Sequence, residues 1–464
     1  MNPVFTRVLT AAAILATGCA HYPENKAIEK TNPAVGYRFK NLSKDNNTDS
    51  LQIFMAFSGG GTRAAALSYG VLEELARTEV TWEGQSKRLV DEVDYISAVS
   101  GGSFTAAYFA LHRDKIFADF EKDFLNRNIQ SALMWRLLSP QNWFRLSSPN
   151  FNRSDMAAEY YDQKLFRGAT FGDLLRNNRK PFLSLNATDM SLGATFQFTQ
   201  EHFDLLCSDI SSFPLSRAVA ASSAFPILLS PITINNYAGS CECIRPEWMN
   251  AALTNQLERS RRSIRAKELL SYQNSSEHPY LHLLDGGLSD NLGLRGPYED
   301  IIAKGGVWKK INDDLDATSV KKMVMIVVNS ATKKDKGWDR RKQPPRAIQV
   351  TVALGAVPMH RYSFETLELL KQSVAQWEIE WIGGNLRSEK LDHVISSGSR
   401  LRFYVIEISL EFLPEGGERA YLVDLPTSFN LPSDATRRLR NAAAALLRQS
   451  TDFQNLLQDI RSEQ

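Results

Sequence analysis

A serine hydroxyl attacks an ester only where a base takes its proton and donors hold the oxyanion that forms. Ser100 has the surroundings for that role. The apolar run Val93-Asp94-Tyr95-Ile96-Ser97-Ala98-Val99 ends on it, and Gly101-Gly102 lead into a second apolar run, Phe104 to Leu111. Small residues on both sides let a strand turn sharply into a helix with the hydroxyl at the apex. Ala98 stands where the usual Gly-x-Ser-x-Gly elbow has its first glycine.

A second feature could hold an anion. Leu51 to Phe57 is an apolar run that breaks into Ser58-Gly59-Gly60-Gly61-Thr62-Arg63 and resumes at Ala64. Three glycines in a row expose bare backbone amides, and the first amides of a following helix have no partner of their own. Such a turn binds a phosphate, a dinucleotide or an acyl-transfer oxyanion. Gly59, Gly61 and Ala64 satisfy the loose dinucleotide fingerprint. The next apolar run, however, ends in Ser100 and not in an acidic residue, and no Gly-Lys-Ser/Thr follows the turn as a P-loop requires.

A third stretch is Asp285-Gly286-Gly287, into which the apolar run Tyr280 to Leu284 leads. At this point the chain resembles the patatin-like phospholipase family. Gly59-Gly60-Gly61-Thr62-Arg63 is similar to its oxyanion turn, Ala98-Val99-Ser100-Gly101-Gly102 to its elbow apart from Ala98, and Asp285-Gly286-Gly287 to its Asp-Gly-Gly/Ala motif. Asn186-Ala187-Thr188-Asp189 and the stretch Ala220 to Pro226 resemble its intervening strand and helix, so the likeness runs from Ile53 to Val328.

The resemblance implies a Ser-Asp dyad without histidine, with Ser100 as nucleophile and Asp285 as base. Amides of Gly59, Gly60 and Gly61 would hold the oxyanion, and Arg63 would brace the turn or add positive charge. It implies hydrolysis of fatty-acyl esters of phospholipids or related lipids, with no cofactor and no metal. Two alternatives stand beside it: a Ser-His-Asp esterase using His360 or His393, and a catalytically silent lipoprotein of the same fold that binds lipid or a partner protein. His282 belongs to the strand beneath Asp285, while Ser58 precedes the turn and Ser103 lies inside a helix start.

The elements that must position these residues are strand-turn-helix units close in sequence, which predict a largely parallel sheet with helices on its faces. With the resemblance, the expected fold is an α/β class, a three-layer α/β/α sandwich with a cap or insertion. Phe182 to Asp189, Thr195 to Thr199, Ile227 to Ile234, Tyr280 to Leu284, Lys322 to Val328 and Leu401 to Ser409 read as further strands, and Asp434 to Leu447 as a closing helix. Residues 236–278 read as an insertion, in which Met249, Leu253, Leu257 and Ile264 mark one helical face among Arg259, Arg261, Arg262, Arg265 and Lys267. A helix is expected after His360. The stretch Asn126 to Asn152 carries Met134, Trp135, Leu137, Leu138, Trp143 and Phe144, suited to cap packing or to contact with lipid.

The chain opens with an export-type segment, residues 1–18, whose apolar core Val8 to Ala16 is too short to span a bilayer. Leu15-Ala16-Thr17-Gly18-Cys19 resembles the bacterial lipobox, which implies a lipid on Cys19, and Ala20 is not the aspartate of inner-membrane retention. The expected location is the outer membrane, with residues 19–50 as a polar tether and residues 51–464 as the acyl-hydrolase body, residues 329–464 being its C-terminal extension. Lys and Arg number 54 against 52 Asp and Glu, so the net charge of +2 gives no ground for a nucleic-acid partner. Cys207, Cys241 and Cys243 allow one disulfide, and Cys241-Glu242-Cys243 lacks the two further ligands a zinc site needs.

Overall fold

Unbroken apolar runs are what strands covered on both faces require, and in the computed structural model the first of them, Leu51–Phe57, forms β1 with six of its seven residues buried. The structure describes residues 21–463 apart from 44–46, 227, 255–259, 304, 308–318, 333–337, 339, 341 and 383–400. After β1 the glycine turn passes the chain into α1 (Gly61–Arg77), and β2 (Val93–Val99) passes just as abruptly into α2 (Gly101–His112). Among the helices that follow are α3 (Ile129–Leu138), α4 (Pro140–Leu146) and α5 (Arg153–Tyr161). Next come β3 (Phe182–Asp189), β4 (Thr195–Gln197), α6 (Leu215–Ser222) and β5 (Ile232–Asn235). The insertion supplies α7 (Glu247–Leu253) and α8 (Arg261–Ser271) ahead of β6 (Tyr280–Asp285) and α9 (Arg295–Ala303). The chain closes with β7 (Lys322–Asn329), α10 (Ala347–Ile382), β8 (Arg402–Ser409), α11 (Ser433–Gln449) and α12 (Thr451–Ser462).

Eight strands make one sheet in the order β8-β7-β1-β2-β3-β6-β5, with β4 paired to β3. Pairing is parallel from β8 through β3 and antiparallel where β4 and β6 meet β3 and where β5 meets β6. Side chains alternate across the sheet, which makes two cores. Ile53, Met55, Phe57, Ile96 and Ala98 pack with residues of α1, α2 and α11, while Ala56, Met323 and Val327 pack with residues of α9 and α10. The result is the α/β/α sandwich expected from the sequence. The second core encloses an apolar cavity of about 100 Å³ lined by Phe54, Tyr95, Leu294, Tyr298, Met325 and Leu370, among others.

Several expectations change. The stretch read as a tether is docked on the body from its first described residues: Lys26–Ala27 pairs with Ser208–Asp209, and buried Asn25 bonds to the Ser208 hydroxyl and the Asn235 carbonyl. Tyr37 stacks on Phe182 with ring centroids 4.7 Å apart. Few apolar residues mark this segment in the sequence because backbone pairing and two or three anchors hold it.

The insertion is two helices and not one face. Met249, Ala266 and Leu269 are buried, Ile264 is exposed, and Leu257 and Arg259 lie outside the described residues. Arg265, expected on a solvated surface, is buried between His202 and Glu299, where its long stem packs while its head is paired. The late helix begins at Ala347, well before His360, and runs through Pro358. Cys207 and Cys241 form a disulfide, which removes Cys241 as a ligand thiolate and leaves Cys243 free.

Candidate active site

Strand register brings the two candidate residues together. Val99 of β2 lies opposite Asn186 of β3, and Ala187, the next residue, lies opposite Asp285 at the end of β6. Ser100, directly after Val99, therefore meets Asp285 across the end of β3. Its Oγ donates a 2.8 Å hydrogen bond to Asp285 Oδ2, and both residues are buried.

Ser100 has φ 49° and ψ −118°, a conformation that L-residues rarely adopt. Such a turn persists only where its surroundings hold it. The Ser100 amide donates to Ser222 Oγ, and Ser222 Oγ donates in turn to the Asn186 carbonyl and contacts Ser103 Oγ. Gly286 N donates to the Ser222 carbonyl as well. Ser222, at the end of α6, thus joins the elbow, β3 and the Asp285 turn, a role the sequence did not single out. The signal was available only as the small-residue stretch Ala220 to Ala224.

Close approach explains the glycines. A Cβ on Gly101 would fall 2.1 Å from the Gly61 carbonyl oxygen, and one on Gly59 would fall 3.3 Å from Ser100 Cβ. The glycine turn therefore lies against the elbow. Within it Gly60 has φ 145° and Gly61 φ 61°, and Ser330 Oγ donates 2.6 Å to the Gly59 carbonyl.

The three amides are not equivalent. Gly59 N already donates to the Asn291 carbonyl at 2.9 Å, so the oxyanion role expected of it is blocked by a bond within the protein. Gly60 and Gly61 amides donate to no described residue. Arg63 is a brace: Nε donates to the Ser330 carbonyl, Nη1 to the Leu425 carbonyl and Nη2 to Thr427 Oγ1. Burial lowers its pKa to about 10.

Asp285 accepts from Gly287 N at 2.8 Å on Oδ1 as well as from Ser100 on Oδ2. Burial raises its pKa to about 6 against the opposing pull of those two bonds. A carboxyl group so placed is ionised at neutral pH yet basic enough to take a proton from a reacting serine. Asn291 is a further residue the sequence reading missed; its Oδ1 lies where a Cβ on Gly59 or Gly287 would be, 2.5 Å and 2.9 Å away.

The printed bonds to the Asp285 carboxylate come from Ser100 and Gly287, neither of them a histidine. His282 is on β6 with Nδ1 3.1 Å from Thr233 Oγ1, and His360 is on α10. His393 and Cys19 lie outside the described residues. Ser58 Oγ accepts from Ser330 N, and Ser103 Oγ is bonded to Ser222.

Comparisons with known proteins bear on what such a site does. The profile of the family described as patatin-like phospholipase matches residues 55–298, more than half of the chain. No curated protein sequence matches. Among solved structures, human GIVD cytosolic phospholipase A2 is similar at 11% identity and a TM-score of 0.44 over 91% of this chain and 63% of that one. The same human enzyme in complex with methyl gamma-linolenyl fluorophosphonate and terbium chloride gives 12% identity and a TM-score of 0.39 over 91% of this chain and 61% of that one. VipD from Legionella pneumophila gives 12% and 0.27 over 85% and 67%. The chain thus spans less than two thirds of the length of the human enzyme.

Proposed function

The chain belongs to the patatin-like phospholipase family, and from that premise we propose that it is a serine lipid acyl hydrolase of phospholipase A type, working through a Ser100–Asp285 dyad. The observation that carries this reading is the 2.8 Å bond from Ser100 Oγ to Asp285 Oδ2 at a left-handed elbow packed on a glycine turn. In the first step Ser100 Oγ bonds to the ester carbonyl carbon as its proton passes to Asp285. The Gly60 and Gly61 amides receive the oxyanion. Collapse expels the alcohol, which takes the proton back from Asp285; a water then attacks the acyl-serine as the same carboxylate takes its proton, the bond between Ser100 Oγ and the acyl carbon breaks, and the fatty acid leaves as Ser100 Oγ recovers the proton from Asp285. Fatty-acyl esters of phospholipids or related lipids are the substrate class.

The envelope reading belongs to the same proposal. Residues 1–18 serve as export signal, Cys19 carries the lipid and the body faces a lipid surface from the outer membrane. The lipobox-like Leu15 to Cys19 supports it. Among the described residues no helix is long and apolar enough to cross a membrane.

The test is turnover of a short-chain ester with a fluorophosphonate label as readout of the nucleophile. Ser100→Ala should abolish labelling, and Ser100→Ala and Asp285→Asn should each cost about 10²–10⁴ in rate. The double variant should be little worse than either, because groups acting as one unit are non-additive. Gly60→Ala should cost on the order of 10²–10³ by displacing a donor, since its Cβ would meet Ser330 Oγ at 2.3 Å. His282→Ala, His360→Ala and His393→Ala should stay active. A folded histidine variant as inactive as Ser100→Ala would restore the triad, and absence of labelling in the folded wild type would favour a silent lipid-binding protein.

A further inference from the structure

Five large apolar side chains stand out in solvent on the hairpin of α3 and α4: Met134, Trp135, Leu138, Trp143 and Phe144, with Trp135 73% and Trp143 58% exposed. Packing accounts for the other side of the hairpin, where Leu137 and Leu146 meet Phe151 and Met156 in a small core of their own. The outer side has no partner among the described residues. Contiguous apolar surface of this kind marks a place where something docks.

Three observations say what docks. The Trp143 indole N–H donates to the Leu137 carbonyl at 2.9 Å, so its exposed ring can leave water without stranding a donor. From Ile129 to Asn152 the sequence holds Arg136 and Arg145 and no carboxylate, which suits an interface where aromatic and basic residues are favoured and buried carboxylates are costly. Third, Tyr22 N donates to the Asn150 carbonyl, just past α4. Cys19 is three residues upstream, a span of at most about 10 Å. A lipid on that cysteine would therefore enter the bilayer beside the hairpin and not at the end of a long tether.

The same hairpin is rooted at the active site. Its first amides, Ile129 N and Gln130 N, donate to the Phe429 carbonyl, and the neighbouring Ser428 carbonyl accepts Thr62 N from the end of the glycine turn. On the other side, the loop that begins at Ala224, whose carbonyl accepts Asp285 N, carries Leu228 at 66% exposure before Ser230 bonds to α5.

We propose that the outer face of the α3–α4 hairpin, with Leu228 beside it, is the surface on which this protein seats itself on a phospholipid bilayer, holding the mouth of the Ser100 site against the lipid. This rests on the acyl-hydrolase reading for its consequence and for the rates below, while the tryptophan quenching tests the surface without it. The rings enter the head-group region, and the anchor on Cys19 and the hairpin act on one side of the molecule.

Full-length protein is compared as wild type, Trp135→Ser/Trp143→Ser and Trp135→Phe/Trp143→Phe, on phosphatidylcholine vesicles and on a monomeric short-chain ester. The serine pair should lower vesicle hydrolysis about tenfold or more while changing monomeric turnover by less than roughly twofold; the phenylalanine pair should restore the vesicle rate. Brominated acyl chains should quench the wild-type tryptophan fluorescence, and that quenching should fall in both double variants. Quenching unchanged by the substitutions would overturn the proposal. So would a vesicle rate that falls no further than the monomeric one, or a dimer in sedimentation that the serine pair dissolves. Wild type inactive on both substrates but still quenched would instead end the acyl-hydrolase reading and leave the docking surface standing.

Discussion

Asp285 is held at a compromise between stability and reactivity. Ionised, it can take the serine proton, but burial opposes ionisation and lifts its pKa from 3.8 to about 6. The consequence for rate is that kcat/KM on a short-chain ester should fall about tenfold per pH unit below about 6, as protonation removes the base. For stability the sign is opposite to that of a paired carboxylate. Between pH 3.8 and about 6 the folded protein binds more protons at Asp285 than the unfolded chain does, so this group's contribution to stability declines as pH rises through that window. Asp285→Asn abolishes the declining contribution. In denaturant titrations the variant should match wild type below pH 4 and exceed it above pH 7 by about 3 kcal/mol or less. A variant less stable than wild type at every pH would show that the two hydrogen bonds to the carboxylate outweigh its burial.

At the scale of elements, the site exists because four of them end at one point, and Ser222 is the junction. Its hydroxyl accepts the Ser100 amide and donates to the Asn186 carbonyl, and its own carbonyl accepts Gly286 N. Ser222→Ala would leave a buried amide at a strained residue without its partner, a loss of about 1–3 kcal/mol. The expected outcome is a clear fall in kcat with KM little changed and the protein still folded, because the elbow loosens while the substrate contacts stay. Unchanged kcat in the alanine variant would show that the glycine turn alone fixes the elbow. Ser100, Asp285 and the glycine turn were legible in the sequence because each imposes a residue type: a nucleophile, a carboxylate, an absent Cβ. The ends of β1 and β2 were legible for a similar reason, being buried runs that stop at small residues. Ser222 and Asn291 were not, since a serine or asparagine that serves by hydrogen bonding to a distant backbone leaves no pattern nearby in sequence. Nor did composition show that Gly59 N is engaged by the Asn291 carbonyl, a contact made across more than two hundred residues. The docked segment from residue 21 was misread because polarity in a sequence reports the side chains, while here the backbone does the pairing.

On the scale of the whole molecule, the recognisable motifs end long before the folded unit does. The family match stops at residue 298, yet β8 lies at the edge of the sheet beside β7, Leu425 and Thr427 hold Arg63, and α11 covers α1. The C-terminal segment is therefore part of the body that carries the glycine turn. It also presses on Gly70 in the middle of α1, where a Cβ would meet the Arg440 Cα at 2.7 Å and its carbonyl oxygen at 2.6 Å. Arg440 fixes that approach with two bonds to Glu73 and one to Glu121. An alanine at an ordinary helix position gains up to about 1 kcal/mol over glycine, whereas forcing backbone against a methyl group in a filled core costs about 1–3 kcal/mol. Backbone cannot rotate away as a side chain can, so the second effect wins. Gly70→Ala should lower the urea midpoint, and it should lower ester turnover with it, because α11 cannot move off α1 without pulling on the segment that holds Arg63 and the glycine turn. Gly417→Ala, at a helix start where a Cβ meets nothing within 4 Å, is the matched control and should leave both unchanged. If Gly70→Ala proved as stable and as active as that control, α1 and α11 would be separable layers and the C-terminal segment an appendage.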